Sequence, residues 1–236
     1  MESRKRVLVT GASRGIGRAV MRRLASDGYR VTGLARKAPE DLAENEEFFC
    51  IDLADLDATR ALVTELAAEQ PFFGLVNNAA MAPTTSLDDC SIADMTDAAV
   101  LSMYAPLVLT QVVVSGMRRM KEGRIVNLSS RAALGKVNRT AYSASKAGII
   151  GMSRTFALEL AEHNITVNVI APGPIATELF RSASPPDHPR TKALMQAVPL
   201  QRVGEPEECA GTLVFLASPS MSGYITGQII HINGGQ

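Results

Sequence analysis

Val7-Leu8-Val9-Thr10-Gly11-Ala12-Ser13-Arg14-Gly15-Ile16-Gly17 is the stretch whose reading decides the fold. An apolar, β-branched run enters a cluster of glycines, and a helical period begins directly behind it, with Ala19, Val20 and Leu24 on one apolar side. A strand that turns through glycines into a helix opens a βαβ unit. Glycine permits the tight turn and a close backbone approach, while the helix start offers free N–H groups and a positive dipole end to a pyrophosphate. The spacing is Gly-x3-Gly-x-Gly rather than the commoner Gly-x-Gly-x-x-Gly. Taken alone, the segment also fits an ordinary glycine-rich strand-to-helix turn.

The rhythm continues outward. Further strands are expected at Arg30 to Ala35, Phe48 to Ile51, Phe72 to Asn77, Arg124 to Ser129, Ile165 to Ala171 and Gln228 to Ile232. Nearly all are apolar throughout, as strands covered on both faces must be. Helices fill the intervals: Gly15 to Ser26, the long stretches Ser91 to Met120 and Ser143 to Leu160, with Ser91 and Asp94 forming a capping box and Gly28 and Gly123 placed where a left-handed turn follows a helix. This order predicts an α/β chain of one domain over residues 1–236, a doubly wound seven-stranded parallel sheet with ligands bound outside the carboxyl ends of the strands. Thr177 to Arg202, with Pro185, Pro186, His188 and Pro189, shows no clear period and is expected to be a lid over the substrate.

Composition narrows the function. Lys and Arg total 24 against 24 Asp and Glu, for a formal charge of +0. A nucleic-acid or acidic-membrane partner would call for a basic excess, so neither is expected. No uninterrupted apolar run reaches the length of about 18 residues that a membrane span needs, and no secretory leader precedes Gly11, so a cytoplasmic protein is expected. Cys50, Cys90 and Cys209 are too scattered for a disulfide framework. His163, His188 and His231 lack metal-ligand spacing, so no metal is expected. No Gly-x-Ser-x-Gly elbow of an acyl hydrolase occurs.

Two further sites carry chemistry. The second strand ends Leu34-Ala35-Arg36-Lys37, where a dinucleotide fold presents its selector for the adenosine ribose. A carboxylate there would bond a 2′-hydroxyl. Instead Arg36, with Arg14 in the glycine loop, offers guanidiniums that fit a 2′-phosphate, so NADP is expected over NAD. Either arginine singly also fits a solvated surface charge. Tyr142 and Lys146 are four residues apart on one helical face, and an ammonium near a phenol lowers the phenol's pKa from about 10 towards the working range. Ser129 and Ser130 end the fifth strand, at the edge where ligands bind.

Thr10 to Gly17, Asn77-Asn78-Ala79-Ala80, Ser129-Ser130, Tyr142-Ser143-Ala144-Ser145-Lys146, Pro172-Gly173-Pro174-Ile175 with Thr177, and Tyr224-Ile225-Thr226-Gly227 to Gly234-Gly235 follow in order. Together they resemble the short-chain dehydrogenase/reductase family of the NADP-preferring, single-domain Rossmann type, over essentially the whole chain. The resemblance implies that Gly11, Ser13, Gly15, Ile16 and Gly17 wrap the pyrophosphate and that Asp52 and Leu53 lie against the adenine. Asn77 and Ala79 would support the cofactor, as would Pro172, Gly173 and Ile175, and Thr177 would bond the nicotinamide carboxamide. Tyr142 would be the general acid and base, Lys146 would hold the nicotinamide ribose, and Ser130, in preference to Ser129, would hydrogen-bond the substrate oxygen. Ser130 is 12 residues from Tyr142, one fewer than is commonest in the family.

Two positions depart from the family pattern. Ser102 stands where the family has an asparagine that keeps a helix kink open for a proton-relay water, and Pro106, which has no N–H, lies four residues later. The expectation is that Pro106 opens the kink and leaves the Ser102 carbonyl for the water; the alternative is a bent helix with no relay. Ala80 stands where glycine is more frequent and narrows the pocket. The implied function is hydride transfer between NADP(H) and a ketone or secondary alcohol. A 3-oxoacyl-carrier-protein reductase acting on a thioester is the first alternative, with Arg118, Arg119, Lys121 and His163 as weak docking cations, and a cofactor-binding regulatory protein without turnover is the second. A homotetramer or dimer through the two long helices is expected from the resemblance. Met81, Val137 to Thr140 and the lid would complete the substrate pocket.

Overall fold

Apolar β-branched runs and amphipathic helices alternate along the chain, and the computed structural model describes residues 4–183 and 188–236. The strands are β1 (Arg6–Thr10), β2 (Arg30–Ala35), β3 (Glu46–Cys50), β4 (Phe72–Asn77), β5 (Gly123–Leu128), β6 (Ile165–Pro172) and β7 (Ile229–Ile232). They form one sheet in the order β3-β2-β1-β4-β5-β6-β7, every pair parallel. The direction of winding therefore reverses between β1 and β4, and the crevice at their carboxyl ends is where such a sheet binds ligands.

The helices are α1 (Gly15–Ser26), α2 (Leu56–Glu69), α3 (Ile92–Ala99), α4 (Ala105–Met120), α5 (Thr140–Leu160), α6 (Glu178–Ala183), α7 (Pro189–Gln196), α8 (Pro206–Ala217) and α9 (Pro219–Ser222). Alternate residues of the strands feed two cores. Val7, Val9, Phe73 and Val76 pack against Val20, Met21 and Leu24 of α1 and Leu213 and Val214 of α8. Leu8, Leu34, Leu75 and Ile125 pack against Val63 of α2, Leu109, Val113 and Met117 of α4, and Leu160 of α5. Each such side chain taken from water contributes about 1.5–3 kcal/mol, which explains why the central strands carry no polar face.

Four details differ from the sequence expectation. First, β3 begins at Glu46 rather than Phe48 because Glu46 is buried in an ion pair, with Arg18 Nη1 donating to its two oxygens at 2.9 and 2.8 Å. Pairing hides a charge that periodicity counts as solvent-facing. Second, the left-handed residue after α4 is Lys121 (φ +52°), not Gly123. Gly123 is required for space, since a Cβ there would lie 2.6 Å from Met117 Sδ. Third, the stretch from Thr177 to Arg202, expected to be irregular, carries α6 and α7 over its described part, with Pro189 at the first position of α7. Pro185 and Pro186 lie outside the described residues.

Fourth, Ile92–Met120 is a continuous helical stretch containing an 18-residue window of mean hydropathy 1.7, long and apolar enough by composition to cross a membrane. Half of its apolar window is buried inside the protein, against α2 and α5, so this hydropathy serves the core.

Candidate active site

The glycine loop is built by hydrogen bonds as much as by glycine. Gly11 and Gly15 take φ of +64° and +56°, a region that side chains disfavour. At Gly17 space is decisive: a Cβ would stand 2.2 Å from the Gly11 carbonyl oxygen, so the helix start packs directly on the loop. Asn78 fixes the cradle from β4, its Nδ2 donating to the carbonyls of Thr10 (2.9 Å) and Gly11 (3.1 Å). Thr10 Oγ1 in turn accepts from the N–H groups of Asn78 (3.0 Å) and Ala79 (3.1 Å). What remains free is the N-terminus of α1, where Arg14 is the N-cap without a side-chain cap bond. These residues fit a pyrophosphate: the cradle is closed to any Cβ and opens on unused N–H donors.

The loop's neighbours fall into two groups. Arg14 and Arg36 are exposed beyond the ends of the adjacent strands β1 and β2, which are tied there by Gly11 N–H donating to the Leu34 carbonyl at 2.8 Å. Arg14 faces Glu178 at 3.6 Å, with both side chains largely in solvent. Asp52 is exposed and accepts from Ala54 N–H at 3.0 Å. Ser13 is half-buried, and Ile16 is packed on the core. By contrast Leu53 and Ile175 are buried in the two cores, so each can offer a ligand only its backbone. Gly173 donates to the Ile232 carbonyl (2.9 Å) and joins the end of β6, Pro172, to β7. Thr177 Oγ1 accepts from Phe180 N–H at 3.2 Å at the start of α6. Its methyl would lie 3.2 Å from a Cβ on Gly15, so this side chain borders the phosphate cradle.

Asn77 lies beneath the cradle rather than on it. Its amide is buried, donating to Asn127 Oδ1 (2.7 Å); Asn127 donates to Ser153 Oγ (2.8 Å) and Ser153 to the Ile149 carbonyl (2.6 Å). That chain ties β4 and β5 to α5 beneath the site. The loop-holding role belongs to Asn78, and the paired asparagines signalled its region without distinguishing the two.

Ser130, Tyr142 and Lys146 come together at the carboxyl end of β5. Tyr142 and Lys146 lie in the first turns of α5. Lys146 Nζ donates to the Leu128 carbonyl (2.6 Å), 5.9 Å from the centre of the Tyr142 ring. Ser129 Oγ donates back to the Lys146 carbonyl at 2.6 Å, so Ser129 is a strand-to-helix tie. Ser130 starts a 3₁₀ turn (Arg131–Leu134), accepts from Ala132 N–H at 3.1 Å and lies close enough to the Tyr142 hydroxyl to lower its pKa. The two serines thus separate into an inward and a site-facing residue, with Ser130 the latter.

The electrostatics differ from the sequence expectation. Burial raises the Tyr142 pKa above its ordinary 10, opposed by the Ser130 hydroxyl and the Arg139 guanidinium, not by Lys146. Burial lowers Lys146 to about 8, so its charge is gone before the phenol would ionise.

Ser102 lies in a π-helical turn (Val100–Tyr104) between α3 and α4, where Ala105 N–H donates to the Val100 carbonyl. Pro106 follows at once, with no N–H for the Ser102 carbonyl. The Ser102 hydroxyl is buried and has no hydrogen-bond partner among the described residues.

Known proteins resemble this chain in sequence and fold. The family model described as Enoyl-(Acyl carrier protein) reductase matches residues 11–236. The 3-oxoacyl-[acyl-carrier-protein] reductase FabG of Vibrio cholerae is 35% identical over 242 residues, covering 98% of this chain and 96% of its own. The enzyme of the same name from Staphylococcus aureus is 37% identical over 250 residues, covering 100% and 99%. Among solved structures, a putative NAD(P)-dependent gluconate 5-dehydrogenase from Beutenbergia cavernae with bound NADP is 30% identical, with a TM-score of 0.90 over 98% of this chain and 96% of that one. YwfH, an NADPH-dependent reductase involved in bacilysin biosynthesis, is 28% identical, with a TM-score of 0.88 over 99% and 98%. The chain therefore belongs to the short-chain dehydrogenase/reductase family of oxidoreductases and is similar to the 3-oxoacyl-carrier-protein reductases.

Proposed function

We propose that the protein interconverts a ketone and a secondary alcohol using NADP(H), with Tyr142 exchanging the proton at the substrate oxygen. The observation that carries this reading is the convergence of Ser130, Tyr142 and Lys146 beside the glycine cradle. The relative with bound NADP and the NADPH-dependent relative support the choice of cofactor, as do Arg14 and Arg36 at the two places where a 2′-phosphate would lie. Gly11, Gly15, Gly17 and the start of α1 would hold the pyrophosphate, Asp52 with the backbone of Leu53 the adenine, and Thr177 with the backbone of Ile175 the nicotinamide end.

The bound cofactor supplies or accepts the hydride. This chain's residues manage the proton. Burial keeps Tyr142 protonated at neutral pH, so the phenol enters carbonyl reduction as a donor, and its O–H proton passes to the oxygen while charge develops there. The Ser130 hydroxyl, beside that phenol, stabilises the same oxygen. Lys146 is held by Leu128 within reach of the ring and favours recovery of the phenol's proton by lending its own. Ser102 and Pro106 complete the route: the Ser102 carbonyl, which Pro106 cannot engage, holds a water that reprotonates Lys146 from the solvent side.

A panel of ketones and 3-oxoacyl thioesters, followed by NADPH absorbance, tests the reading. Wild type is expected to turn over at least one of them, and Tyr142→Phe to lose 10²-fold or more in kcat, in line with the roughly 10²–10⁴ of a general acid, while still binding NADPH. A fully active Tyr142→Phe would refute the mechanism. Wild type that binds NADPH but reduces nothing would favour the regulatory alternative. The carrier-protein relatives favour a second, finer reading, in which the substrate is a 3-oxoacyl thioester; preference for thioesters over free ketones would establish it.

A further inference from the structure

We propose that Arg131, Lys136 and Arg139 form an anion-recognition cluster that selects a carbonyl substrate bearing an oxyacid group, either a carboxylate or a phosphate. This deepens the reading above and rests on it for the reaction, though not for the binding.

The three cations lie between Ser130 and Tyr142 along the chain. Arg131 directly follows Ser130 at the start of the 3₁₀ turn, and Arg139 is the N-cap of α5, three residues before Tyr142. Arg139 is anchored: its Nη1 donates to the carbonyls of Ala82 and Pro83, and the backbone beside it pairs with Thr85, whose N–H donates to the Asn138 carbonyl at 3.1 Å. The guanidinium is thereby fixed between the loop after β4 and the helix that carries Tyr142, close enough to act on the phenol. Lys136 lies within electrostatic reach of both arginines, which, after partial burial, hold its pKa below the ordinary value.

No carboxylate answers them among the described residues. Among the described residues, Arg6, Arg18, Arg22, Arg23, Arg30 and Arg202 all sit in ion pairs, whereas Arg131, Lys136 and Arg139 sit in none. Like charges gathered without a counterion repel one another, and an arriving anion converts that repulsion into binding. Guanidinium forks match the paired oxygens of a carboxylate or phosphate. Apolar surface adjoins the cluster: Leu134 and Val137 on the same segment and Met81 on the facing loop are exposed, a wall for the carbon chain between carbonyl and anion.

The test uses a short keto acid, its methyl ester, and a keto phosphate with its dephosphorylated ketone, each assayed by NADPH oxidation in wild type, Lys136→Ala and Arg131→Ala. Binding of the same acids to the NADPH-loaded protein is measured by calorimetry. Wild type is expected to prefer the anion of at least one pair about tenfold in kcat/KM, and each variant to cut that preference about fivefold or more, chiefly through KM. The pair that shows the preference identifies carboxylate or phosphate. Equal use of the charged and neutral members, or variants that leave the preference intact, would overturn the inference. Lys136-dependent binding of the acids without turnover would support the cluster while refuting the activity, so the two failures are distinguishable.

Discussion

Lys146 is nearly inaccessible to solvent and has a single hydrogen-bond acceptor in the Leu128 carbonyl, so its ammonium exchanges hydration for one bond. Burial brings it to about 8 from 10.5. Between those values the unfolded chain still holds a proton that the folded protein has released, so folding stability rises with pH across the window. The gain is up to about 3 kcal/mol at 1.36 kcal/mol per unit. Denaturant midpoints from pH 7 to 10.5 should show this rise in wild type and lack it in Lys146→Met; parallel profiles would contradict the burial argument. Arg36 acts at the same scale. Exposed and outside any ion pair among the described residues, it has its guanidinium available, and Arg36→Ala should weaken NADPH binding about tenfold or more while leaving NADH nearly unchanged. Equal losses for both would refute the 2′-phosphate assignment.

Among elements, α1 depends on contact with its own preceding loop. A methyl at Gly17 meets the Gly11 carbonyl at 2.2 Å and Asn78 Nδ2 at 2.6 Å, and neither backbone nor clamped amide can yield cheaply. Gly17→Ala should therefore cost about 1–3 kcal/mol as an overpacked position. It should also lower NADPH affinity beyond detection in calorimetry, while Gly211→Ala, in the interior of α8 with open space around its Cα, should leave affinity unchanged and raise stability by about 0.5–1 kcal/mol. The first glycine loop was legible from the chain because strand end, glycine turn and helix start are neighbours there. Its clamp was not: Asn78 and Thr10 are joined to the loop across strands, and local spacing says only that asparagines are present. Capping at Ser91 was legible for the same local reason, with both reciprocal bonds formed. The helices after Thr177 were missed because prolines and a weak apolar period read as irregular chain.

At the scale of the molecule, the buried chain Asn77, Asn127 and Ser153 sets the depth at which α5 rests on the sheet, and hence the position of Tyr142 and Lys146. Removing its middle member strands the buried Asn77 amide, while the Ser153 hydroxyl keeps its bond to the Ile149 carbonyl; one unpaired buried group costs about 1–3 kcal/mol. Asn127→Ala should lower the unfolding free energy by roughly that amount, read as a shift in the urea midpoint at constant slope. A midpoint within error of wild type would show that the network does not brace α5.

The sequence by itself determined the parallel α/β architecture, its strand order of appearance and the location of the glycine, serine and tyrosine-lysine motifs. Apolar period, turn chemistry and helix caps are interactions among residues close along the chain. Only the tertiary structure decided which of two adjacent asparagines clamps the loop, which of two adjacent serines meets Tyr142, and that Lys146 loses its charge near pH 8 while Arg139 acts on the phenol. Hydrogen-bond partnership and desolvation depend on what distant segments bring within a few ångströms, and that information is absent from spacing along one strand or helix. The zero formal charge makes the same point: a sum over residues shows balance, whereas the folded chain brings Arg131, Lys136 and Arg139, in no ion pair among the described residues, within electrostatic reach of one another.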